Sequence, residues 1–327
     1  MKTLLAVALA ATVSTGAFAQ AFPAKPITFV VPFAAGGPTD LVARRLAEAM
    51  RAPLGGANIV VENAAGAGGT IAGTKVARAT PDGYTLLVWH IGMAATTSLY
   101  RKQQFKPLED FEYLGMINDV PMTLLGSPKL PANTYRDFEA YIRANGGKLN
   151  LAHAGLGSAS HICGLMWQSA VKLDKSMTTI AYRGTGPAMN DLIGGQVDVM
   201  CDQTTNTTAQ IEAGRVKAFA VTTAKRLDGH KLLKDYPSMQ EMGLKEFNLT
   251  IWHGLYAPKG TPPEVTKRLN DALQVALKDP AFIKSQEDLG AIVVKDNRVT
   301  PAGHKAFVAN EITKLKTAID AAGQFAD

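Results

Sequence analysis

Four times along this chain an apolar run of strand length breaks into a loop of glycines and hydroxyl residues, and a helical pattern follows at once. The loops are Gly36-Gly37-Pro38, Gly66-Ala67-Gly68-Gly69-Thr70, Gly155-Leu156-Gly157-Ser158-Ala159-Ser160 and Gly184-Thr185-Gly186-Pro187. Strand, loop and helix repeated in that order build an α/β fold with mainly parallel sheets, because a parallel neighbour is reached only through a crossover. The first amides of each helix lack an intrahelical acceptor, and the helix dipole adds partial positive charge there. One such loop is ordinary turn chemistry. Four facing one place make a site where backbone N–H groups hold an anion.

Apolar periodicity predicts strands over 27–33, 58–62 and 84–89 with helices over 38–51 and 70–79. Val42, Leu46 and Met50 fall four apart on one face of the first helix. The alternation restarts past residue 125, with strands over 149–153, 178–182, 197–202 and 217–222 and helices over 135–144, 158–171, 187–193 and 204–213. A strand over 250–257, a helix over 264–278, a short strand at Val293-Val294 and a helix over 301–322 complete the pattern. Two apolar segments with breakers, 111–127 and 249–258, are where the chain is expected to cross between lobes. This predicts a discontinuous lobe of residues 20–124 plus 249–327 and an inserted lobe of residues 125–248, with a small-ligand cleft between them.

Residues 1–19 read as a secretory leader: Lys2, an apolar stretch over 4–13, and Ala17-Phe18-Ala19 before a cut after Ala19. No later run reaches the ~18 apolar residues of a membrane span. With 34 basic and 28 acidic residues, a net charge of +6 and no Lys/Arg run, charge speaks for solubility and weak steering of anions, not for nucleic-acid binding. Cys163 and Cys201 would meet an oxidising compartment, and spacing leaves open whether they form a disulfide or stay as buried thiols.

No Walker loop is present, and Gly184-Thr185-Gly186-Pro187-Ala188-Met189 departs from the dinucleotide pattern where Met189 replaces the third glycine. The six histidines show no metal-ligand spacing, so neither cofactor nor metal is expected. Ser158, Ser160 and His161 stand at a helix start without a nucleophile elbow. A secreted hydrolase using His161 or Cys163 is the competing reading. Asp40, in the first turn of its helix, is expected to complement the dipole and cap a backbone N–H. Asp202, at a strand end, either orients loop donors or takes a ligand hydroxyl or amine. Trp89, Trp167 and Trp252 are core residues by default, although Trp252-His253 on the crossing strand and His90 beyond the third strand are placed to line a hinge or a flat ligand.

Six blocks carry a family resemblance: "KPITFVVPFAAGGPTDLVARRLAEAM", "VVENAAGAGGTIAG", "PDGYTLLV", "YRGTGPAMNDLIGGQVDVMCD", "AFAVTTAKR" and "GLYAPKGTPPEVTKRLN". In this order they resemble the Bug family of periplasmic solute receptors of tripartite tricarboxylate transporters. The resemblance implies a type II, Venus-flytrap binding protein that works as a monomer, closes on a small organic acid without chemistry, and presents it to membrane permease subunits. It implies a ligand site built from Phe33, Ala34, Gly36, Gly37, Thr39 and Asp40, from Gly157, Ser158, Ala159, Ser160 and His161, and from Thr185, Asp202 and Thr204. Where many members carry small residues after the third strand, this chain has Trp89-His90-Ile91-Gly92-Met93. With Trp252 and His253, His90 makes the chain similar to receptors for aromatic dicarboxylates such as terephthalate. Aliphatic dicarboxylates, tricarboxylates, amino acids and a sensor role remain open.

Overall fold

The computed structural model describes residues 22–173 and 177–322. The leader expected over 1–19 lies outside the described residues. The chain begins with β1 (Ile27–Val31), α1 (Pro38–Arg51), β2 (Ile59–Asn63), α2 (Thr70–Ala77), β3 (Thr85–Trp89) and α3 (Gly92–Leu99). A long β4 (Phe111–Gly126) leads to α4 (Tyr135–Asn145), β5 (Asn150–His153), α5 (Ala159–Ala170), β6 (Thr178–Ala181), α6 (Thr185–Gly194), β7 (Val199–Gln203), α7 (Thr204–Glu212) and β8 (Lys217–Val221). The last elements are β9 (Thr250–Pro258), α8 (Pro263–Ala276), α9 (Pro280–Glu287), β10 (Ile292–Val293) and α10 (Pro301–Ala322).

The strands follow one another in the order β2-β1-β3-β9-β4-β7-β5-β6, with β8 and β10 also paired to β4. The parallel units predicted from the alternation form the two flanks: β1 with β2 and β3, and β5 with β6 and β7. Antiparallel pairing joins them at the centre, through β9 and β4.

β4 departs most from the sequence reading. Gly115 and Pro121 mark 111–127 as a broken crossing, yet sixteen residues run as one strand. Gly115 sits at a register shift against β9 with φ +134, and a Cβ there would meet the Val299 carbonyl oxygen at 2.6 Å, so only glycine fits the bulge. Pro121 faces Thr250 at the last pair with β9, and Met122 faces Gln203 at the first pair with β7. A residue without an N–H is tolerated where the ladder changes partner. Thr222 fastens this point: its Oγ1 accepts the Met122 N–H at 2.9 Å and donates to the Leu249 carbonyl at 2.7 Å. The two passages of the chain are thus held side by side.

Burial explains why the elements stay in place. Val42, Leu46 and Met50 are buried on the predicted face of α1 and pack with Leu269 and Leu273 of α8 over β1, β3 and β9. Each such side chain contributes ~1.5–3 kcal/mol on leaving water. Trp167, Phe138 and Phe219 stack in a second core, with ring centroids 5.5 and 4.2 Å apart.

Candidate functional site

The four predicted loops meet in pairs. The Ala34 N–H donates to the Arg183 carbonyl at 3.0 Å, and Gly37 lies against Thr185 and Gly186. On the other side Tyr100 Oη donates to the Leu156 carbonyl at 3.1 Å. Gly68 approaches the same carbonyl so closely that a Cβ would stand 1.8 Å from its oxygen. Gly157 packs on Thr96 and Leu99 of α3.

Between these contacts lies a cavity of about 10 Å³, room for about one water. The β1 loop contributes Phe33, Pro38 and Thr39, and the β5 loop contributes Ala154, Ser158, Ala159 and Ser160. Thr185 opens α6, Asp202 and Gln203 end β7, and His90 follows β3. The starts of four helices, α1, α5, α6 and α7, of 14, 12, 10 and 9 residues, therefore converge on it. Among the described residues no side chain caps α1, α6 or α7, so apart from Pro38, which carries no N–H, their first amides have no side-chain acceptor of their own. No lysine or arginine among the described residues lines the cavity. What attraction it offers an anion comes from peptide dipoles.

The hydroxyls of Ser158 and Ser160 allow a proton count. Ser160 Oγ accepts the Ala154 N–H at 2.9 Å, Ser158 Oγ accepts the His161 N–H at 3.2 Å, and the two oxygens share a hydrogen bond of 3.1 Å. That shared bond uses one of two hydroxyl protons. The other is left to donate into the cavity, whichever serine carries it.

His90 is equally constrained. The Gly92 N–H donates to its Nδ1 at 3.0 Å, which puts the proton of the neutral ring on Nε2. Burial, and His253 nearby, hold it well below the usual histidine range. It stacks on Phe33 with centroids 4.9 Å apart. His253 stands one layer back, sharing hydrogen bonds with Thr39 Oγ1 at 3.3 Å and Asn118 Oδ1 at 2.9 Å, and burial depresses it to about 3.

The two aspartates differ. Burial would raise Asp40, but Arg44, the Gly36 N–H and the Asn63 amide outweigh it and hold the carboxyl below the usual range. Those groups bond it at 3.0 Å each, and Asn63 also reaches the Phe33 carbonyl at 2.9 Å. Asp40 braces its own loop and does not line the cavity. Asp202 does, and burial pushes it up to about 6 against the Asn206 amide, the Gln203 N–H and the Thr185 hydroxyl that hold it down. Of the residues lining the cavity, Asp202 Oδ1 and Gln203 Oε1 are buried without a partner among the described residues, two acceptors open to a donor from a ligand or water.

Other expected residues lie elsewhere. Thr204 turns toward Gly290, and Trp252 packs edge-on against Phe307 at 5.3 Å within the core. Gln203 and Ala154 line the cavity without having been picked out from the sequence; the place of Gln203 between Asp202 and a helix start was the available signal. Cys163 and Cys201 form a disulfide with Cα atoms 6.0 Å apart, settling the alternative that spacing left open. The bridge removes the thiol a hydrolase would need. Its serine fares no better, because His161 reaches Ser158 through its backbone N–H while the Gly157 N–H occupies Nδ1 at 3.4 Å.

Helix starts from both parallel flanks of an α/β sheet, closing on one cavity, are the arrangement of a solute-binding protein of the periplasmic type. Residues 42–324 match the tripartite tricarboxylate transporter family receptor, and the chain belongs to that family, one of receptors and not of enzymes. It is 44% identical over 305 residues to the UPF0065 protein in the TAR-I ttuE-ttuC' intergenic region of Agrobacterium vitis, covering 93% of this chain and 86% of that one. The solved structure of the periplasmic binding protein BugD superposes with a TM-score of 0.90 at 47% identity, over 94% of this chain and 100% of that one. MatC from Rhodopseudomonas palustris with bound malate gives 0.85 at 38% identity, over 91% and 100%.

Proposed function

We propose that this chain captures a small aliphatic dicarboxylate in the cavity ringed by α1, α5, α6 and α7 and presents it to the membrane permease subunits of a tripartite tricarboxylate-type transporter. The observation that carries the reading is the convergence of four helix starts on a cavity without cationic side chains. Charge-assisted hydrogen bonds from such amides and from the leftover serine proton stabilise a carboxylate by ~1.5–3 kcal/mol each. The malate in the MatC structure supports the dicarboxylate class. An aromatic diacid such as terephthalate has less behind it, because Trp252 is packed in the core and His90 is already stacked on Phe33.

In this proposal residues 1–19 direct export to the periplasm and are removed after Ala19. Two lobes, residues 20–124 with 249–327 and residues 125–248, open about the junction at Pro121–Met122 and Thr222–Leu249 to admit the acid. A ligand touching both favours the joined state. The test is a thermal-shift screen of the mature chain against aliphatic and aromatic mono-, di- and tricarboxylates and amino acids, followed by calorimetry. A ligand at 100 times its Kd adds ~2.7 kcal/mol of stability. No shift with any acid sinks the proposal, and a shift confined to aromatic diacids replaces its ligand class.

A further inference from the structure

The cavity has two chemically different walls. On one, the Ser158 and Ser160 pair and the starts of α1 and α5 offer hydrogens. On the other, Asp202 is 1% exposed: Oδ2 accepts the Asn206 amide at 2.6 Å, and although the Gln203 N–H and the Thr185 hydroxyl lie near enough to favour its charge, neither completes a hydrogen bond to Oδ1 among the described residues. Beside it Gln203, also lining the cavity, leaves Oε1 unpartnered. A buried acceptor without a donor loses its water and gains nothing in return, and an ionised carboxylate can only accept.

Building on the receptor reading above, we infer that Asp202 is the specificity residue of this cavity, and that the ligand is a carboxylate with a hydrogen-bond donor on its carbon skeleton, a hydroxyl or an ammonium, given to Asp202 Oδ1. A diacid without that donor would bring like charge against Asp202 and leave Oδ1 unsatisfied. Sites built to bond a ligand hydroxyl or amine discriminate strongly against the analogue that lacks it.

The groups facing Asp202 leave that role to it alone. Thr185 of α6, Asn206 of α7, Thr123 of β4 and the serines of α5 carry no charge. His90 across the cavity is held neutral by burial, as are His153 behind the α5 start and His253 behind Thr39; His161 packs against His153 at 5.1 Å. The Asp40–Arg44 pair of α1 is closed on itself at 3.0 Å. With its carboxyl raised to about 6 by burial, Asp202 is mostly ionised at pH 7 and mostly neutral at pH 5.

Calorimetry of the mature chain with two matched series tests this: succinate, malate and aspartate, and glutarate, 2-hydroxyglutarate and glutamate. The expected result at pH 7.5 is at least a tenfold preference for a donor-bearing member over its plain diacid. Lowering the pH to 5 should narrow the gap by strengthening the plain diacid. In Asp202→Asn the preferred ligand should lose at least tenfold while the plain diacid holds or gains, and a larger loss for the amino than for the hydroxy acid names the donor as ammonium. Equal affinities across a series in the wild-type chain, a comparison that needs no variant, overturn the assignment while leaving the receptor reading intact. Failure of every carboxylate to bind overturns both.

Discussion

A disulfide joins Cys163 to Cys201, tying α5 less than one turn beyond Ser160 to the residue just before Asp202 at the end of β7. The bond thereby couples the two walls of the cavity, the start of α5 and the end of β7. The cross-link closes a sequence separation of 38 residues, which in the chain-entropy account stabilises the fold by ~2–4 kcal/mol. Replacing both cysteines by alanine is expected to lower the urea midpoint accordingly and to weaken ligand affinity as the walls lose their mutual position. An affinity unchanged at a temperature where the variant is folded would show that the bridge is structural only.

Ser158 and Ser160 should behave as one unit. In either single alanine variant the remaining hydroxyl no longer shares its proton and keeps it for the ligand, so each is expected to lose only about threefold to tenfold in affinity. Ser158→Ala also removes the cap on the His161 N–H, at ~1 kcal/mol of stability. The double variant should fall well below the sum of the singles, a non-additivity measurable by calorimetry. Simple additivity would refute the proton count.

Gly68 controls how near the β2 loop comes to the β5 loop. With φ +60 and the Leu156 carbonyl where a Cβ would go, Gly68→Ala costs ~1 kcal/mol of backbone strain and holds the loops apart. Ligand affinity should drop tenfold or more, and the ligand-dependent compaction seen by small-angle scattering should shrink. Normal compaction with normal affinity would mean that these loops need not meet.

Acid should weaken the fold through its histidines. His153 is depressed to about 4, His253 and His304 to about 3, each by burial, against 6.5 when exposed. Between 6.5 and those values the unfolded chain binds more protons than the folded one, so stability is intact above pH 6.5 and lost as pH falls. Each group contributes up to ~1.4 kcal/mol per pH unit over that window. Asp202, raised to about 6, acts in the opposite sense between 3.8 and 6 and offsets part of the loss. The Tm measured from pH 7.5 to 4 should decline below about 6.5; a flat profile would contradict the burial of these rings.

The strand-helix alternation and the glycine loops were legible because periodicity and breakers are local properties of the chain. β4 was not, since Gly115 and Pro121 are breakers whose context, a bulge and a change of partner, exists only once β9 and β7 are in place. α3 was missed because it is buried nearly all round and shows no polar face, and the short α9, opened by Asp279 and Pro280, was missed as well. In the site, three of the four glycine loops line the cavity, while the loop at Gly66–Thr70 only packs against the β5 loop and the β7–α7 junction takes its place; the facing of single residues was not legible. Thr204 stands next to Gln203, which lines the cavity, and one position along the helix start turns its side chain away; Trp252 precedes His253, which itself only backs Thr39.

Among the described residues, the attraction of the cavity for an anion rests on peptide groups and not on lysine or arginine. Mobile ions screen exposed charges over ~10 Å at 0.1 M salt, but they reach buried dipoles poorly. A carboxylate held in this way is expected to bind with little change between dilute and briny surroundings. That tolerance suits a molecule stationed where the medium outside, and not the cell, sets the ionic strength.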